Sequence, residues 1–401
     1  MRYREVPKNG DRLSILGFGC MRLPVKGGVI DEGRAISQIR HAIDRGVNYV
    51  DTAWPYHGGE SETLVGKALR DGYRDKVNVA TKLPSWMVKS RQDMDRFLDA
   101  QLVKLETDHI DYYLLHSLNG ASWDILHGLG VIDFLGQALA DGRITNAGFS
   151  FHGLAEDFVR IVDAYPWTFC QIQYNYLDER YQAGRAGLEH AAAAGLAVIV
   201  MEPLRGGNLA IPDPPQPIAA IWDEAPVHRS PVEWALRWVW NHPQVTVLLS
   251  GMNEEAHIEE NLAIADSAQP GELTAVELAL VERVRVKYQE LMRVGCTGCG
   301  YCMPCPSGVM IPLCFEEHNK AHMFGGLEEA KFRYAIRLSG VVAEGKPGFA
   351  SQCVSCGACL KKCPQHIPIP DILRQIAAEM EDAGLAERLV KVRQMFKAEA
   401  K

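Results

Sequence analysis

From the N-terminus to about residue 265, short β-branched or aromatic runs alternate with longer stretches whose apolar residues recur every three or four positions. The short runs predict strands near 15–19 (ILGFG), 47–51 (VNYVD), 77–81 (VNVAT) and 110–115 (IDYYLL). Four more are expected near 144–149 (ITNAGF), 169–173 (FCQIQ), 196–201 (LAVIVM) and 245–249 (VTVLL). Between them, "DEGRAISQIRHAIDRG" and "RQDMDRFLDAQLVKLE" carry the helical period. Ser230 followed by Pro231 reads as a helix start for "SPVEWALRWVWNH". Eight strand–helix units over about 260 residues predict an α/β fold, a (β/α)8 TIM barrel. A doubly wound open sheet is the alternative, but the GxGxxG expected after its first strand is absent from "GFGCMRLP".

The pattern changes at both ends. Ahead of the first strand, "YREVPKNGDRLSI" has an Asn-Gly between short extended pieces, a hairpin signal suited to plugging the barrel bottom. After residue 265, "DSAQPGELT" is turn-rich, and Thr274 with Glu277 makes a capping box for a helix reaching about Met292, which Gly295 can end. Gly, Cys and Pro then dominate. Two domains are therefore expected, a barrel over 1–292 and a second, mostly helical domain over 293–401. Helices are expected between its two cysteine runs and after Pro370.

Of the 401 residues, 47% are hydrophobic and 23% charged, a globular composition. A net charge of −8 argues against a nucleic-acid partner, which needs a basic face. "MRYREVPKNGDRL" has no apolar core of a secretory signal, and no run reaches the roughly 18 apolar residues of a membrane span. Nine of eleven cysteines fall after residue 290. Without an export signal, that density points to metal ligation rather than disulfides, and to a cytoplasmic location.

In such barrels chemistry sits at the C-terminal strand ends. Asp51 closes strand two and Tyr56 stands in its loop; Lys82 closes strand three and His116 strand four. A phenol with an ordinary pKa of roughly 10 needs help to relay a proton at neutral pH. A lysine ammonium beside it favours the phenolate, and a carboxylate holds that lysine in place. An imidazole can orient a carbonyl. Together these groups describe proton delivery to a carbonyl that receives a hydride. His57, beside Tyr56, reads as a loop residue.

"DTAWPYHGGESETLVGKAL", "TKL" and "YYLLHSL" together resemble the aldo/keto reductase family over roughly residues 10–265. The resemblance implies a catalytic tetrad of Asp51, Tyr56, Lys82 and His116. It also implies a nicotinamide cofactor, NADP(H) or NAD(H), and a small carbonyl or alcohol substrate. For the nicotinamide end it implies Ser150 and Gln171, with Phe151 replacing the family's Asn and Met201 its stacking tyrosine. Pro203, Leu204, Arg205 and Gly206, with Gly207, look like the loop over the pyrophosphate, where Arg205 can meet phosphate bidentately. Asn261 matches the adenosine-end segment, but His257 stands where NADP-selective members have Arg. A histidine is a weaker, pH-dependent phosphate partner.

The second signal is cysteine spacing. "CTGCGYCMPCP" places Cys296, Cys299, Cys302 and Cys305; "CVSCGACLKKCP" places Cys353, Cys356, Cys359 and Cys363. The second run has the bacterial ferredoxin spacing, in which the fourth cysteine ligates the other cluster; the first is one residue shorter. Two [4Fe–4S] clusters in a ferredoxin-like domain are expected. Two zinc sites, each with four cysteine ligands, are the competing reading. By the crossover rule Cys296, Cys299, Cys302 and Cys363 hold one cluster, and Cys353, Cys356, Cys359 and Cys305 the other. Exchanging Cys305 and Cys363 is the alternative. Cys20, Cys170 and Cys314 read as buried thiols.

A hydride carries two electrons and a [4Fe–4S] cluster accepts one, so coupling needs a converter, and no flavin fingerprint is present. Three functions follow. The first is a nicotinamide-dependent carbonyl/alcohol oxidoreductase, its clusters structural or serving an external electron carrier. The second is a reductase feeding single electrons to the same pocket without nicotinamide. The third is an electron-transfer module with a scaffold barrel.

Overall fold

The computed structural model describes residues 1–296, 300, 302–341, 346–363 and 366–397. The chain divides into two compact units, one of residues 1–212 and 229–279, the other of 213–228 and 280–401.

The first unit is a closed, all-parallel barrel. Its strands are β1 (Leu16–Gly19), β2 (Tyr49–Asp51), β3 (Asn78–Leu83), β4 (Ile110–Leu118), β5 (Ile144–Phe151), β6 (Phe169–Gln173), β7 (Ala197–Met201) and β8 (Val245–Ser250). They pair in sequence order, with β8 returning to β1. Each coincides with one of the β-branched or aromatic runs in the sequence, as expected for strands buried on both faces. Helices α1 (Glu32–Asp44), α2 (Ser61–Ala68), α3 (Arg91–Leu105), α4 (Ala155–Asp163), α5 (Pro231–Trp240) and α6 (Glu255–Ser267) belong to the outer layer. Ser230 caps α5 by accepting the Glu233 N–H at 3.0 Å. Thr274 caps the helix Ala275–Leu291 in the same way, and Glu277 returns the bond at 2.8 Å.

Ahead of β1, Tyr3–Glu5 and Arg12–Ser14 form the expected antiparallel hairpin. Val6 and Leu13 pack with Tyr49, Tyr112, Phe169 and Ile199 in one fully buried cluster. The hairpin stops the N-terminal end of the barrel, and the strands' C-terminal ends form the mouth.

The second unit has its own core, to which helices α7 (Ile311–Phe324), Leu327–Leu338 and α8 (Ile369–Met380) contribute Phe315, Tyr334 and Ile376. The first two lie between the cysteine runs, and α8 with Leu385–Lys397 makes the expected pair after the second. Cys296, Cys302, Cys305, Cys353, Cys359 and Cys363 pack at the edge of that core. No helix among the described residues is long and apolar enough to cross a membrane.

Candidate active site

Asp51 ends β2 and Lys82 lies one residue before the end of β3, so neighbouring parallel strands present an acid and an amine at the same end. Lys82 Nζ donates to Asp51 Oδ1 and to the Thr52 carbonyl, each at 2.7 Å. Both side chains are almost wholly buried, so each charge depends on the other. Gln171, predicted for the nicotinamide end, donates to Asp51 Oδ2 at 3.2 Å from β6. Burial opposes the Lys82 ammonium, but Asp51 and Tyr56 outweigh it and raise its pKa. Burial also pushes the Asp51 carboxyl up, against Lys82 and Gln171.

Tyr56 stands in the loop after β2, with Lys82 Nζ 5.1 Å from its ring centre and the His116 ring 6.2 Å away, edge-on. Burial raises the phenol's pKa, and the Lys82 charge pulls the other way. His57, next along, accepts the Leu23 N–H at 3.1 Å and so ties this loop to the one after β1. The structure thus brings Asp51, Lys82, Tyr56 and His116 together.

His116 is aimed by a defect in the sheet. Pairing of β4 with β5 slips between Leu115 and Leu118, so His116 and Ser117 oppose Ser150 alone. Ser117 takes a left-handed φ of 57° there. Such a bulge re-aims a side chain and leaves a backbone group to satisfy. Ser150 Oγ satisfies it by accepting the Ser117 N–H at 2.7 Å. Burial first, then the Lys82 charge and His152, hold the His116 pKa down to about 2. Its buried Nδ1 has no hydrogen-bond partner among the described residues, and Trp86 leans over its ring at 5.1 Å.

The candidate nucleotide residues divide. Among the described residues Ser150 Oγ serves as an acceptor, so its O–H can still donate to an amide oxygen. Phe151 packs on Phe158 of α4 at 5.1 Å, so the side chain after Ser150 belongs to the core. Met201 ends β7, half-buried, opposite Gln173. In the loop beyond, Pro203 is buried and Leu204 half-buried, while Gly206 and Gly207 take left-handed φ values of 68° and 96°. Arg205 Nε donates to Asp178 Oδ2 at 3.1 Å, so part of the guanidinium is committed within the protein. A Cβ on Gly206 would lie 3.3 Å from Arg22 Nη2, which puts a second arginine beside the glycine pair. Asn261 on α6 is buried and donates to Ser250 Oγ at 2.7 Å. His257 is exposed, and at the start of α6 Glu254 and Glu255 both bind Arg34.

Sequence reasoning missed a buried network behind the lysine. Glu62 of α2 accepts from Thr81 Oγ1 at 2.7 Å and from Gln101 of α3 at 2.6 Å. Gln101 also donates to the Lys82 carbonyl at 3.0 Å, which fixes the backbone that carries the amine. "GGESE" contains Glu62 in the very stretch that carried the resemblance, but nothing in the pattern points it inward. Arg22, Ser117 and Trp86 were missed as well.

In the second unit, Cys305, Cys353, Cys356 and Cys359 line one cavity with Cys302, Ile311 and Leu373. Cys353, Cys305 and Cys356 lie near enough to Cys359 to raise its thiol pKa, after burial. No disulfide forms among the described cysteines, and Cys299 lies outside the described residues. Cys20, Cys170 and Cys314 are fully buried.

A parallel barrel with paired ions and a phenol at its mouth defines the class, an oxidoreductase. The chain belongs to the aldo/keto reductase family, whose description it matches over residues 15–279. Residues 295–367 match a 4Fe-4S dicluster domain. Aldo-keto reductase YhdN of Bacillus subtilis is 34% identical over 125 residues, which are 29% of this chain and 38% of that protein. The match thus spans well under half of that relative. The holo form of aldo-keto reductase AKR11C1 from Bacillus halodurans is similar in structure, with a TM-score of 0.60 and 25% identity over 71% of this chain and 96% of that one. An aldo-keto reductase from Klebsiella pneumoniae in complex with NADPH shares the fold, with a TM-score of 0.57 and 22% identity over 71% and 95%.

Proposed function

We propose that the barrel reduces a small carbonyl compound, or oxidises the matching alcohol, with a nicotinamide dinucleotide. The observation that carries this is the buried Lys82–Asp51 pair beneath Tyr56. A bound nicotinamide supplies or accepts the hydride. Tyr56 Oη gives its proton to the carbonyl oxygen in reduction and takes it back in oxidation. Lys82 steadies the phenolate left behind, Asp51 keeps Lys82 in place, and neutral His116 orients the oxygen without serving as the acid. The apolar faces of Trp86 and Met87, both exposed after β3, suit an apolar substrate body.

The dinucleotide would lie across the mouth. Ser150 and Gln171 would serve the carboxamide, Met201 would pad the ring face, and Pro203 to Gly207 with Arg22 and Arg205 would flank the phosphates. Asn261 would hold α6 in place through Ser250. Glu254 and Glu255 near the adenosine end oppose a 2′-phosphate, which favours NAD(H) over NADP(H).

The second domain, over 293–401, would hold two [4Fe–4S] clusters. Cys353, Cys356, Cys359 and Cys305 would bind one of them, in keeping with the cavity they line. Cys296, Cys299, Cys302 and Cys363 would bind the other. Such clusters supply one-electron transfer. Their acceptor would be an external carrier. A reductase without nicotinamide is the second reading, favoured by Phe151 facing the core and Arg205 bound to Asp178.

Anaerobic calorimetry with NADH and NADPH, run beside carbonyl turnover, tests both. Stoichiometric nucleotide binding retained in Tyr56→Phe, with turnover lowered at least 100-fold, is the expected result. Turnover unchanged in the variant would overturn the tetrad, and no binding of either nucleotide would favour the second reading.

A further inference from the structure

His318 and His322 sit one turn apart on α7, so the helix itself places both imidazoles on one face. Glu379 reaches them from α8, with Oε2 at 2.7 Å from His318 Nε2 and 3.1 Å from His322 Nε2. The rings stand edge-to-face at 4.8 Å. All three donor atoms lie within 4.8 Å of one another. A tetrahedral ion with bonds of about 2.0–2.1 Å needs its ligand atoms roughly 3.3–3.4 Å apart, so the two hydrogen-bonded N···O separations of 2.7 and 3.1 Å need only open by a few tenths of an ångström to admit it.

We propose that His318, His322 and Glu379 bind one Zn²⁺ in the second unit, through two imidazole Nε2 atoms and one carboxylate oxygen, with water as fourth ligand. Two nitrogens and one oxygen suit a borderline ion such as zinc, whereas the cysteines suit softer iron–sulfur chemistry. His318 is 5% exposed and its pKa is lowered, by burial first, so it offers a neutral, ligating ring. Arg293 faces His318 and opposes added positive charge, so affinity rests on ligand geometry.

The position gives the ion a role. Asn319, next to His318, accepts the N–H groups of Arg293 and Val294 at 2.9 Å and donates to the Val294 carbonyl at 2.7 Å. It thereby pins the chain two residues ahead of Cys296. The other helix, α8, starts six residues after Cys363. An ion joining α7 to α8 therefore clasps the elements flanking both cysteine runs.

The test uses the anaerobically purified, iron-loaded full chain, titrated with Zn²⁺ against a chromophoric chelator, with zinc and iron then counted by mass spectrometry. One zinc per chain with iron unchanged is expected. His322→Gln and Glu379→Gln, both at partly exposed positions, should each weaken binding by about 100-fold or more with iron content retained. Three results would overturn the site: no zinc taken up, uptake matched by loss of iron, or unaltered affinity in Glu379→Gln. The last decides the matter even if His322→Gln fails to fold.

Discussion

An imidazole enclosed by the barrel wall and facing the Lys82 ammonium gains nothing from a second proton, so His116 stays neutral down to a pH of about 2. Tyr56 is displaced the other way, above the usual phenol range by burial, and so carries its proton throughout the neutral range. Carbonyl reduction should therefore show no step between pH 5.5 and 8 and should fall only in alkali, as Tyr56 deprotonates; steady-state rates across that range test it. A limb centred near 6.5 would hand the acid role to His116. The ion pair beneath makes a second prediction. Lys82→Met leaves Asp51 charged and buried without its partner, which should cost about 3–5 kcal/mol. The double variant Asp51→Asn, Lys82→Met should recover more than half of that loss in chemical denaturation of the barrel. Equal loss in single and double variants would mean that the pair does not act as a unit. These four residues were legible because each chemistry-bearing group closes or follows a strand. Arg205 was only half legible. Its partner Asp178 lies 27 residues upstream, and no local pattern joins them.

The β4–β5 bulge decides where His116 points, and no periodicity in "YYLLHSL" announces it. A strand reads as regular until its partner's register is known, because the extra residue is defined only by what it opposes. Ser150→Ala removes the acceptor of the Ser117 N–H. Ser117 is only half-buried, so losing that bond should cost no more than the roughly 1–3 kcal/mol of a fully buried unmet donor, and kcat should fall further than nucleotide affinity as His116 drifts. Calorimetry and turnover on the same preparation separate the two effects; a loss confined to nucleotide affinity would show that Ser150 serves the cofactor alone. The strand runs themselves were legible because buried parallel strands need near-continuous apolar sequence. Phe151 follows from the same alternation. With Ser150 toward the mouth, the next side chain turns to the helix layer and becomes core. The Glu62–Gln101–Lys82 network was not legible, since a polar residue on a helix reads as solvated until its burial is seen.

Across the whole molecule, burial holds His57, His116, His152, His242 and His318 below the ordinary imidazole value, His242 at about 4. Below pH 6.5 the unfolded chain takes up protons that these folded sites refuse. Stability is therefore full above about 6.5 and is lost as pH falls, by up to about 1.4 kcal/mol per pH unit for each fully shifted imidazole. Anaerobic melts followed by tryptophan fluorescence should show a falling midpoint between pH 6.5 and 5, before most carboxylates titrate. A level midpoint across that interval would contradict the burial of these rings.

The N-terminal hairpin has a further consequence. With one end of the barrel stoppered, the proposed dinucleotide and the compound it would react with would share a single doorway. A long cofactor laid across that doorway, as proposed, would have to be in place before the smaller molecule settles above it, and the smaller one would have to depart first. Turnover should then follow a compulsory order, nucleotide first in and last out.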